Sequence, residues 1–130
     1  MQMTKKRVLL IDDEKSFTSL LKLNLEQTDN YEVRVENWAE DGVPAAREFK
    51  PHIILLDIIM PRMAGGDVAA ALRADAQLKH IPIVFLTAAV RRHQVEEHEG
   101  FICDTPTLAK PSNVEEIIAA IEKHALQPEA

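Results

Sequence analysis

The sequence predicts a doubly wound α/β domain, in which five parallel strands form one sheet and five helices flank it. Two observations lead to this prediction. Short, almost wholly apolar runs recur along the chain, and such runs are typical of strands buried on both faces of a parallel sheet. Stretches of helical length separate these runs, so that strand and helix alternate. Because right-handed crossovers join the strands, the expected strand order is 2-1-3-4-5.

The amino-terminal third predicts two strands of different burial. Lys6–Ile11 ends in consecutive apolar residues, which indicates a strand buried on both faces. A helix is expected from about residue 15 to 28, with Asp12 or Asp13 as its N-cap. Residues 31–35 alternate apolar and polar side chains, which favours a half-covered strand at an edge of the sheet.

The middle of the chain contains the longest apolar run. Residues 53–56 are isoleucine and leucine, and they lead directly into Asp57. This run predicts the central strand, with Asp57 at its carboxyl end, where open α/β sheets bind their ligands. Before this strand, a regular helix is expected only from about Pro44, or a kink near it, because proline in a helix interior loses a hydrogen bond. After it, a third helix is expected from an N-cap at Asp67 to about residue 75.

The final third predicts two more strands and a weak helix between them. Residues 81–86 form another apolar run, which ends at Thr87. Residues 90–105 are polar and lack an apolar stripe, so we expect the fourth helix to be short, irregular or mobile. Thr105–Ala109 is the expected last strand, and Pro106 suits an edge position better than a central one.

The last helix is expected from about residue 114 to 126, where apolar residues recur at helical spacing. Ser112 and Glu115 have the spacing of a capping box. Asn113 is a competing N-cap, so the sequence leaves the start of this helix open by one residue.

Composition restricts the class of protein. The chain has 130 residues and a formal net charge of −6, with 46% hydrophobic and 28% charged residues, which fits one globular domain. Without a basic stripe, an acidic chain is a poor ligand for nucleic acid or for an anionic membrane. No run is long enough to cross a membrane and no signal peptide is recognisable, so a cytoplasmic location is expected. Cys103 is the only cysteine and the 5 histidines lack metal-ligand spacing, so we expect Cys103 in the core and every histidine at the surface.

Five polar side chains lie where the carboxyl ends of the predicted strands meet. They are Asp12, Asp13, Asp57, Thr87 and Lys110. Three carboxylates this close repel one another unless a cation neutralises them, and Mg²⁺ with its oxygen ligands is suited to that task. A carboxylate can also attack a phosphoryl group, whose charge Mg²⁺ and Lys110 would neutralise while the Thr87 hydroxyl donates a hydrogen bond. Simpler roles stay open, namely helix caps for the acidic pair, strand ends for Asp57 and Thr87, and a surface position for Lys110.

Four motifs carry a resemblance to a known family. They are Ile11-Asp12-Asp13-Glu14, Leu55-Leu56-Asp57-Ile58-Ile59-Met60-Pro61, Phe85-Leu86-Thr87-Ala88 and Ala109-Lys110-Pro111. With these motifs in this order, nearly the whole chain resembles the response-regulator receiver domain of two-component signalling. The resemblance is to the stand-alone, chemotaxis-regulator-like type, and it implies a flavodoxin-like fold.

The resemblance implies a role for each residue of the site. Asp57 is the expected phosphoacceptor and a ligand of Mg²⁺. Asp13 is the more direct metal ligand of the acidic pair, Asp12 acts largely through water, and the backbone carbonyl of Ile59 is a further ligand.

Two more site residues follow from the resemblance. Thr87 is the expected switch hydroxyl, which turns toward the phosphoryl group. Lys110 is the expected phosphoryl contact, and the peptide bond between Lys110 and Pro111 is expected to be cis.

The sequence departs from the family pattern in ways that bear on function. Thr107 replaces the aromatic residue usual on the last strand, which puts the usual threonine–aromatic coupling in doubt; Phe101, in a predicted loop, is a substitute to consider. Ile59 and Ala89 occupy positions whose side chains gate the hydrolytic water in the family. Neither side chain can orient water by hydrogen bonding, so we predict slow autodephosphorylation.

The leading hypothesis is a phosphorylation-activated switch. Residues 1–130 would form a single receiver domain without an output domain. It would take its phosphoryl group from a sensor histidine kinase or a histidine phosphotransfer protein and signal by altered binding to an unknown downstream protein. No contact with nucleic acid or membrane is expected, and a weak homodimer stays open. The chain is not expected to be an enzyme beyond catalysing its own phosphorylation and slow dephosphorylation.

Two alternatives belong to other functional classes. A receiver-like adaptor would bind partners without being phosphorylated, and Thr107 leaves its output step open. A phosphohydrolase of the haloacid-dehalogenase type also uses an aspartyl phosphate, but that class resembles Asp-x-Asp at the nucleophile. Ile59 stands at the second of those positions here, and no cap insertion is present.

Overall fold

The computed structural model describes residues 4–61, 63–88, 101–102, 105–110 and 113–128. These ranges contain strands, α-helices and one 3₁₀ helix. The strands are β1 (Lys6–Ile11), β2 (Tyr31–Glu36), β3 (Ile53–Asp57), β4 (Ile83–Thr87), β5 (Phe101–Ile102) and β6 (Thr105–Ala109). The helices are α1 (Lys15–Glu26), α2 (Gly42–Phe49), α3 (Gly65–Ala74) and α4 (Val114–His124), and the 3₁₀ helix spans Ala39–Asp41.

The sheet has the order β2-β1-β3-β4-β6-β5. The first five of these strands pair in parallel. Strand β6 is the predicted fifth strand, so this arrangement confirms the predicted order 2-1-3-4-5. The two-residue strand β5 was not predicted. It pairs antiparallel with β6, so the prediction that Thr105–Ala109 forms the edge is wrong. The expected edge position of β2 is confirmed.

Helices cover both faces of the sheet. One core lies between the sheet and α2 and α3, and its members include Leu9, Ile11, Ala45, Ala46, Ile54, Leu56, Val68 and Leu72. The other core lies between the sheet and α1 and α4, and its members include Val8, Leu10, Leu21, Leu25, Ile53, Leu55, Ile117 and Ile121. Successive residues of β1 and β3 thus alternate between two cores, which is why both strands are continuously apolar. Each fully buried aliphatic side chain contributes about 1.5–3 kcal/mol.

Two helices begin at residues that the sequence did not predict. Helix α2 starts at Gly42 rather than near Pro44. Pro44 lies in the first turn, where its missing N–H would have had no partner in the helix. Helix α3 starts at Gly65 after Ala64, so the predicted N-cap at Asp67 is wrong. Asp67 instead lies in the first turn, where its charge favours the positive end of the helix.

The caps of the outer helices also differ from the prediction. Glu14, not Asp12 or Asp13, is the N-cap of α1, and the Asp12 carboxylate accepts the main-chain N–H of Glu14 at 2.9 Å. Asn113 caps α4 and forms a capping box with Glu116. The choice between the two predicted starts is thereby resolved in favour of Asn113.

His52 contradicts the prediction that every histidine lies at the surface. Its side chain is 2% exposed, and Nδ1 accepts the main-chain N–H of Arg7 at 2.8 Å. The bond explains the burial, because it satisfies one ring nitrogen at the amino-terminal end of the sheet. His80 is exposed and His124 is half-buried, while the histidines at 93 and 98 lie outside the described residues.

The predicted fourth helix falls largely outside the described residues, as does Cys103. The end of that segment forms β5, so Phe101 lies in a strand rather than in the predicted loop. In the described part of the chain, every helix is too short or too polar to span a bilayer.

Candidate functional site

The carboxyl ends of the central strands bring three carboxylates together. Asp12 follows β1 directly, Asp57 is the last residue of β3, and Ile11 pairs in register with Leu56. Asp12, Asp13 and Asp57 each offer an oxygen that lies within 4.8 Å of the others. These distances confirm the prediction that the three carboxylates lie close together.

The three carboxylates lie in different environments. Asp12 is fully buried and Asp57 is 6% exposed, whereas Asp13 is more exposed than either. Burial, reinforced by the charge of Asp12 and opposed by Lys110, raises the pKa of Asp57 to about 6. Burial also raises the pKa of Asp12, although hydrogen bonds from Lys110 and the Glu14 main chain oppose it. In both residues burial disfavours the ionised carboxylate more than the nearby donors favour it.

Lys110 is the cation that faces these carboxylates. It follows β6 directly, and its side chain is 10% exposed. Its ammonium donates hydrogen bonds to Asp12 and, at 3.0 Å, to Glu14, and it lies 3.8 Å from Asp57. Burial alone would lower the pKa of Lys110, but the bonds to Asp12 and Glu14 outweigh burial and raise it. Lys110 therefore stays protonated at neutral pH.

The loop after β3 fixes the position of Asp57 through a glycine. The N–H of Gly65 donates to the Ile58 carbonyl at 2.7 Å, and a Cβ at residue 65 would lie 2.1 Å from the Asp57 carbonyl oxygen. Only glycine permits this close approach of the start of α3 to the end of β3. Within the loop, the N–H of Ile59 donates to the Asp57 carboxylate at 3.3 Å.

Asn37 supports the site and was not predicted. Its side-chain amide donates to the Asp12 carbonyl at 2.8 Å and to the Thr18 hydroxyl at 3.1 Å. These bonds tie the end of β2 to the turn that carries the acidic pair. Asn37 follows β2 at the same edge of the sheet, so its position after a strand was the signal available in the sequence.

The family can be assigned at this point, because a sequence model supports what the geometry indicates. The model of the response regulator receiver domain matches residues 8–122. The chain belongs to this family.

Similar proteins extend over most of the receiver domain. The polar-differentiation response regulator DivK of Brucella anthropi is 29% identical over 119 residues, which are 92% of this chain and 95% of DivK. The DNA-binding dual master transcriptional regulator RpaA of Synechocystis is 32% identical over 117 residues, which are 88% of this chain but only 47% of RpaA. The chain thus spans about half the length of RpaA. In structure it resembles the chemotaxis protein CheY4 of Vibrio cholerae, with a TM-score of 0.78, 26% identity, and coverage of 93% of this chain and 99% of CheY4.

The donor atoms of this receiver domain suit a hard divalent cation. Mg²⁺ binds oxygen ligands and takes one or two carboxylates together with water and phosphate oxygens. Asp12, Asp13 and Asp57 supply oxygens within reach of one ion, and the Lys110 ammonium pairs with Asp12 and lies 3.8 Å from Asp57. Burial raises the pKa values of Asp12 and Asp57, and a bound cation would favour the ionised form of both carboxylates.

The remaining predicted residues are placed in part. Thr87 is the last residue of β4 and pairs in register with Ala109 of β6, so its position at the edge agrees with the prediction. Pro111 and Ala89 lie outside the described residues. Thr107, at the position of the usual aromatic residue, is 2% exposed. Its hydroxyl donates a hydrogen bond to the Thr105 carbonyl at 3.0 Å, which satisfies this buried polar group.

Proposed function

We propose that this receiver domain is a phosphorylation-activated switch whose phosphoacceptor is Asp57. The observation that carries the proposal is the surroundings of one carboxylate. Asp57 stands at the end of the central strand, with two more carboxylates within 4.8 Å and the Lys110 ammonium at 3.8 Å. A nucleophile, a cation site and a positive charge for the transferred group thus lie together.

The reaction follows from these groups. An oxygen of the ionised Asp57 carboxylate attacks the phosphorus of a phosphohistidine on the donor protein. The new P–O bond forms as the P–N bond breaks, and the departing electron pair stays on the donor imidazole, which takes up a proton. The product is an acyl phosphate on Asp57.

Mg²⁺ would be held by Asp12, Asp13, Asp57 and the carbonyl of Ile59. When bound, it supplies positive charge for the transferring phosphoryl oxygens and relieves the repulsion among the carboxylates. Because Mg²⁺ needs ionised ligands, its affinity should fall as the pH drops through the pKa of Asp57 in the metal-free site, which is about 6.

Lys110 and Thr87 complete the proposed switch. The Lys110 ammonium neutralises charge on the bound phosphoryl group, and the Thr87 hydroxyl turns toward it. Thr87 and Ala109 pair in register directly before Lys110, so both groups come from adjacent strands at the same edge. Movement at this edge is the event that partners would recognise.

The proposed partners are proteins. The donor is a sensor histidine kinase or a histidine phosphotransfer protein, and the signal is altered binding to a downstream protein. The name of RpaA describes a DNA-binding regulator, but this chain matches only 47% of it. The net charge of −6 makes the chain itself a poor ligand for a phosphate backbone.

A stability measurement separates the switch from a receiver-like adaptor that is never phosphorylated. A ligand that binds only the folded state raises the unfolding temperature. Mg²⁺ should raise it, and beryllium fluoride, a phosphoryl mimic, should raise it further when Mg²⁺ is present. The variant Asp57→Asn should lose both effects.

The matched control is Asp29→Asn. Asp29 is exposed and has a φ of 63°, a conformation that asparagine tolerates well. This variant should keep both stabilising effects. If neither Mg²⁺ nor the mimic changes the unfolding temperature of the unmodified chain, the adaptor hypothesis replaces the switch.

A further inference from the structure

The Lys110 ammonium is surrounded on two sides by groups from the start of α1. It contacts Glu14, the N-cap of that helix, at 3.0 Å, and it lies 4.3 Å from the centre of the Phe17 ring. Its other close partner is the Asp12 carboxylate. Glu14 closes the first of the four sequence motifs, but neither Glu14 nor Phe17 was assigned a role there.

The Phe17 contact differs in kind from a hydrogen bond. An ammonium over an aromatic ring is attracted by the negative charge of the ring face. This attraction uses none of the three N–H donors of Lys110. Phe17 can therefore hold the ammonium beside Asp57 while a donor remains available for a phosphoryl oxygen.

The Glu14 contact acts in the opposite direction. It occupies one N–H donor, and its carboxylate places negative charge beside the path of an incoming phosphoryl group. Glu14 is 57% exposed, so its bond to Lys110 is weak enough to exchange for another partner. The distance of 3.8 Å from Lys110 to Asp57 is that of an ion pair without a hydrogen bond.

Beside Phe17, the surroundings of Lys110 are mostly apolar among the residues that the structure describes. Phe17 and Lys110 line one groove of about 420 Å³ between α1 and α4. The groove is largely apolar, with Leu20, Val114 and Ile117 in its wall. Against this apolar wall, the face of the Phe17 ring is a favourable contact for the ammonium.

We infer that Phe17 and Glu14 are positioning residues that set the phosphoryl affinity of this receiver domain through Lys110, in opposite directions. The inference rests on the proposed role of Asp57 and Lys110. Phe17 favours the phosphorylated state because it holds the ammonium in place without using a donor. Glu14 favours the unphosphorylated state because it competes with the phosphoryl group for that donor.

The test measures the affinity for beryllium fluoride in the presence of saturating Mg²⁺. Phe17→Leu should weaken binding by about two- to fivefold, the range expected for a lost cation–π contact. Glu14→Gln should strengthen binding by a similar factor. Phe17→Tyr should bind like the unmodified chain, since the ring face is retained. If both residues served only to stabilise α1, the two substitutions would not change the affinity in opposite directions.

A spectroscopic measurement addresses the contact itself. The side-chain protons of Lys110 should show an upfield ring-current shift in the NMR spectrum, which Phe17→Tyr preserves and Phe17→Leu removes. Phe17→Met offers a second apolar replacement should Phe17→Leu fail to fold. Leu23→Ala is the control, because Leu23 is 54% exposed on α1 and should leave the affinity unchanged.

The outcomes separate this inference from the proposed function. Equal affinities in the unmodified chain and in both apolar replacements of Phe17 would overturn the role of Phe17. Weaker or unchanged binding in Glu14→Gln would overturn the role of Glu14. If the unmodified chain shows no binding that depends on Asp57, the proposed function fails and this inference fails with it.

Discussion

Replacing Asp57 by asparagine should stabilise the metal-free protein at neutral pH. The folded-state pKa of Asp57 is about 6, and its ordinary value is 3.8. Asparagine keeps the size of the side chain and the oxygen that accepts the Ile59 N–H, but it carries no charge. The buried charge is therefore removed while the local hydrogen bonding is retained.

The magnitude follows from the two pKa values. Their difference corresponds to about 3 kcal/mol once Asp57 is fully ionised. Asp57 is only 6% exposed, so solvent screening reduces this figure little. For a chain of this length, a gain of about 2–3 kcal/mol raises the unfolding temperature by roughly 10 °C.

The sign of the pH dependence is set by which state holds the proton more tightly. Because the pKa of Asp57 is higher in the folded state, the folded chain binds a proton that the unfolded chain has already released. The native state is therefore penalised increasingly as the pH rises from about 4 through 6. The advantage of Asp57→Asn should be largest above pH 7 and should disappear near pH 4.

Thermal unfolding in the presence of a chelator, from pH 4 to pH 8, measures this effect. Asp75→Asn is the control, because Asp75 pairs with Arg47 at 2.6 Å and this contact lowers the pKa of Asp75. That variant should lose stability rather than gain it. If Asp57→Asn is no more stable than the unmodified chain at pH 7.5, the argument from buried charge is wrong.

Three further predictions concern the metal, the loop and the lifetime of the phosphoryl group. Mg²⁺ affinity, measured by calorimetry, should fall about fourfold between pH 7.5 and 5.5 as Asp57 takes up a proton, and a constant affinity would contradict the metal assignment. Gly65→Ala should lower the free energy of unfolding by several kcal/mol in chemical denaturation, because the added Cβ would lie 2.1 Å from the Asp57 carbonyl oxygen. Gly66→Ala is the control, because its Cβ would meet no atom within 4 Å, and it should be neutral or mildly stabilising. Ile59→Asn should accelerate loss of the phosphoryl group several-fold, measured as the decay of the phosphorylated mass. The reason is that isoleucine, which is 63% exposed here, cannot orient a water molecule, whereas asparagine can. Rapid decay in the unmodified chain that Ile59→Asn leaves unchanged would refute this prediction.

The strands were the most predictable part of the fold. Val8 to Ile11 and Ile53 to Leu56 are continuously apolar because alternate side chains enter two different cores, and this pattern is local in sequence. Strand β5 could not be predicted in this way. Two residues carry no periodic signal, and the strand exists through its pairing with β6.

Helix starts were predicted less well, because several capping residues compete within a few positions. Asp67 is a good N-cap by type, but the packing of Gly65 against the end of β3 starts α3 before it. Asn113 and Ser112 are equally plausible by type, and the bond from Glu116 decides for Asn113. A tertiary contact thus decided the start of α3, whereas a local capping bond decided the start of α4.

The candidate site was predictable where it depended on strand ends and unpredictable where it depended on side-chain reach. Asp12 and Asp57 each follow a recognisable apolar run, and Lys110 follows the last predicted strand, so topology alone brought them together. The contact of Phe17 with Lys110 spans 93 positions of the chain and leaves no local signal. The burial of His52 likewise depends on the distant main chain of Arg7.

The central claim is that Asp57 accepts a phosphoryl group, and intact mass measurement tests it most directly. The purified chain is incubated with Mg²⁺ and acetyl phosphate, with Asp57→Asn and Asp29→Asn treated in parallel. The account predicts one labile phosphoryl group on the unmodified chain and on Asp29→Asn, and none on Asp57→Asn or without Mg²⁺. An adduct that persists in Asp57→Asn, or no adduct on the unmodified chain, would contradict the assignment.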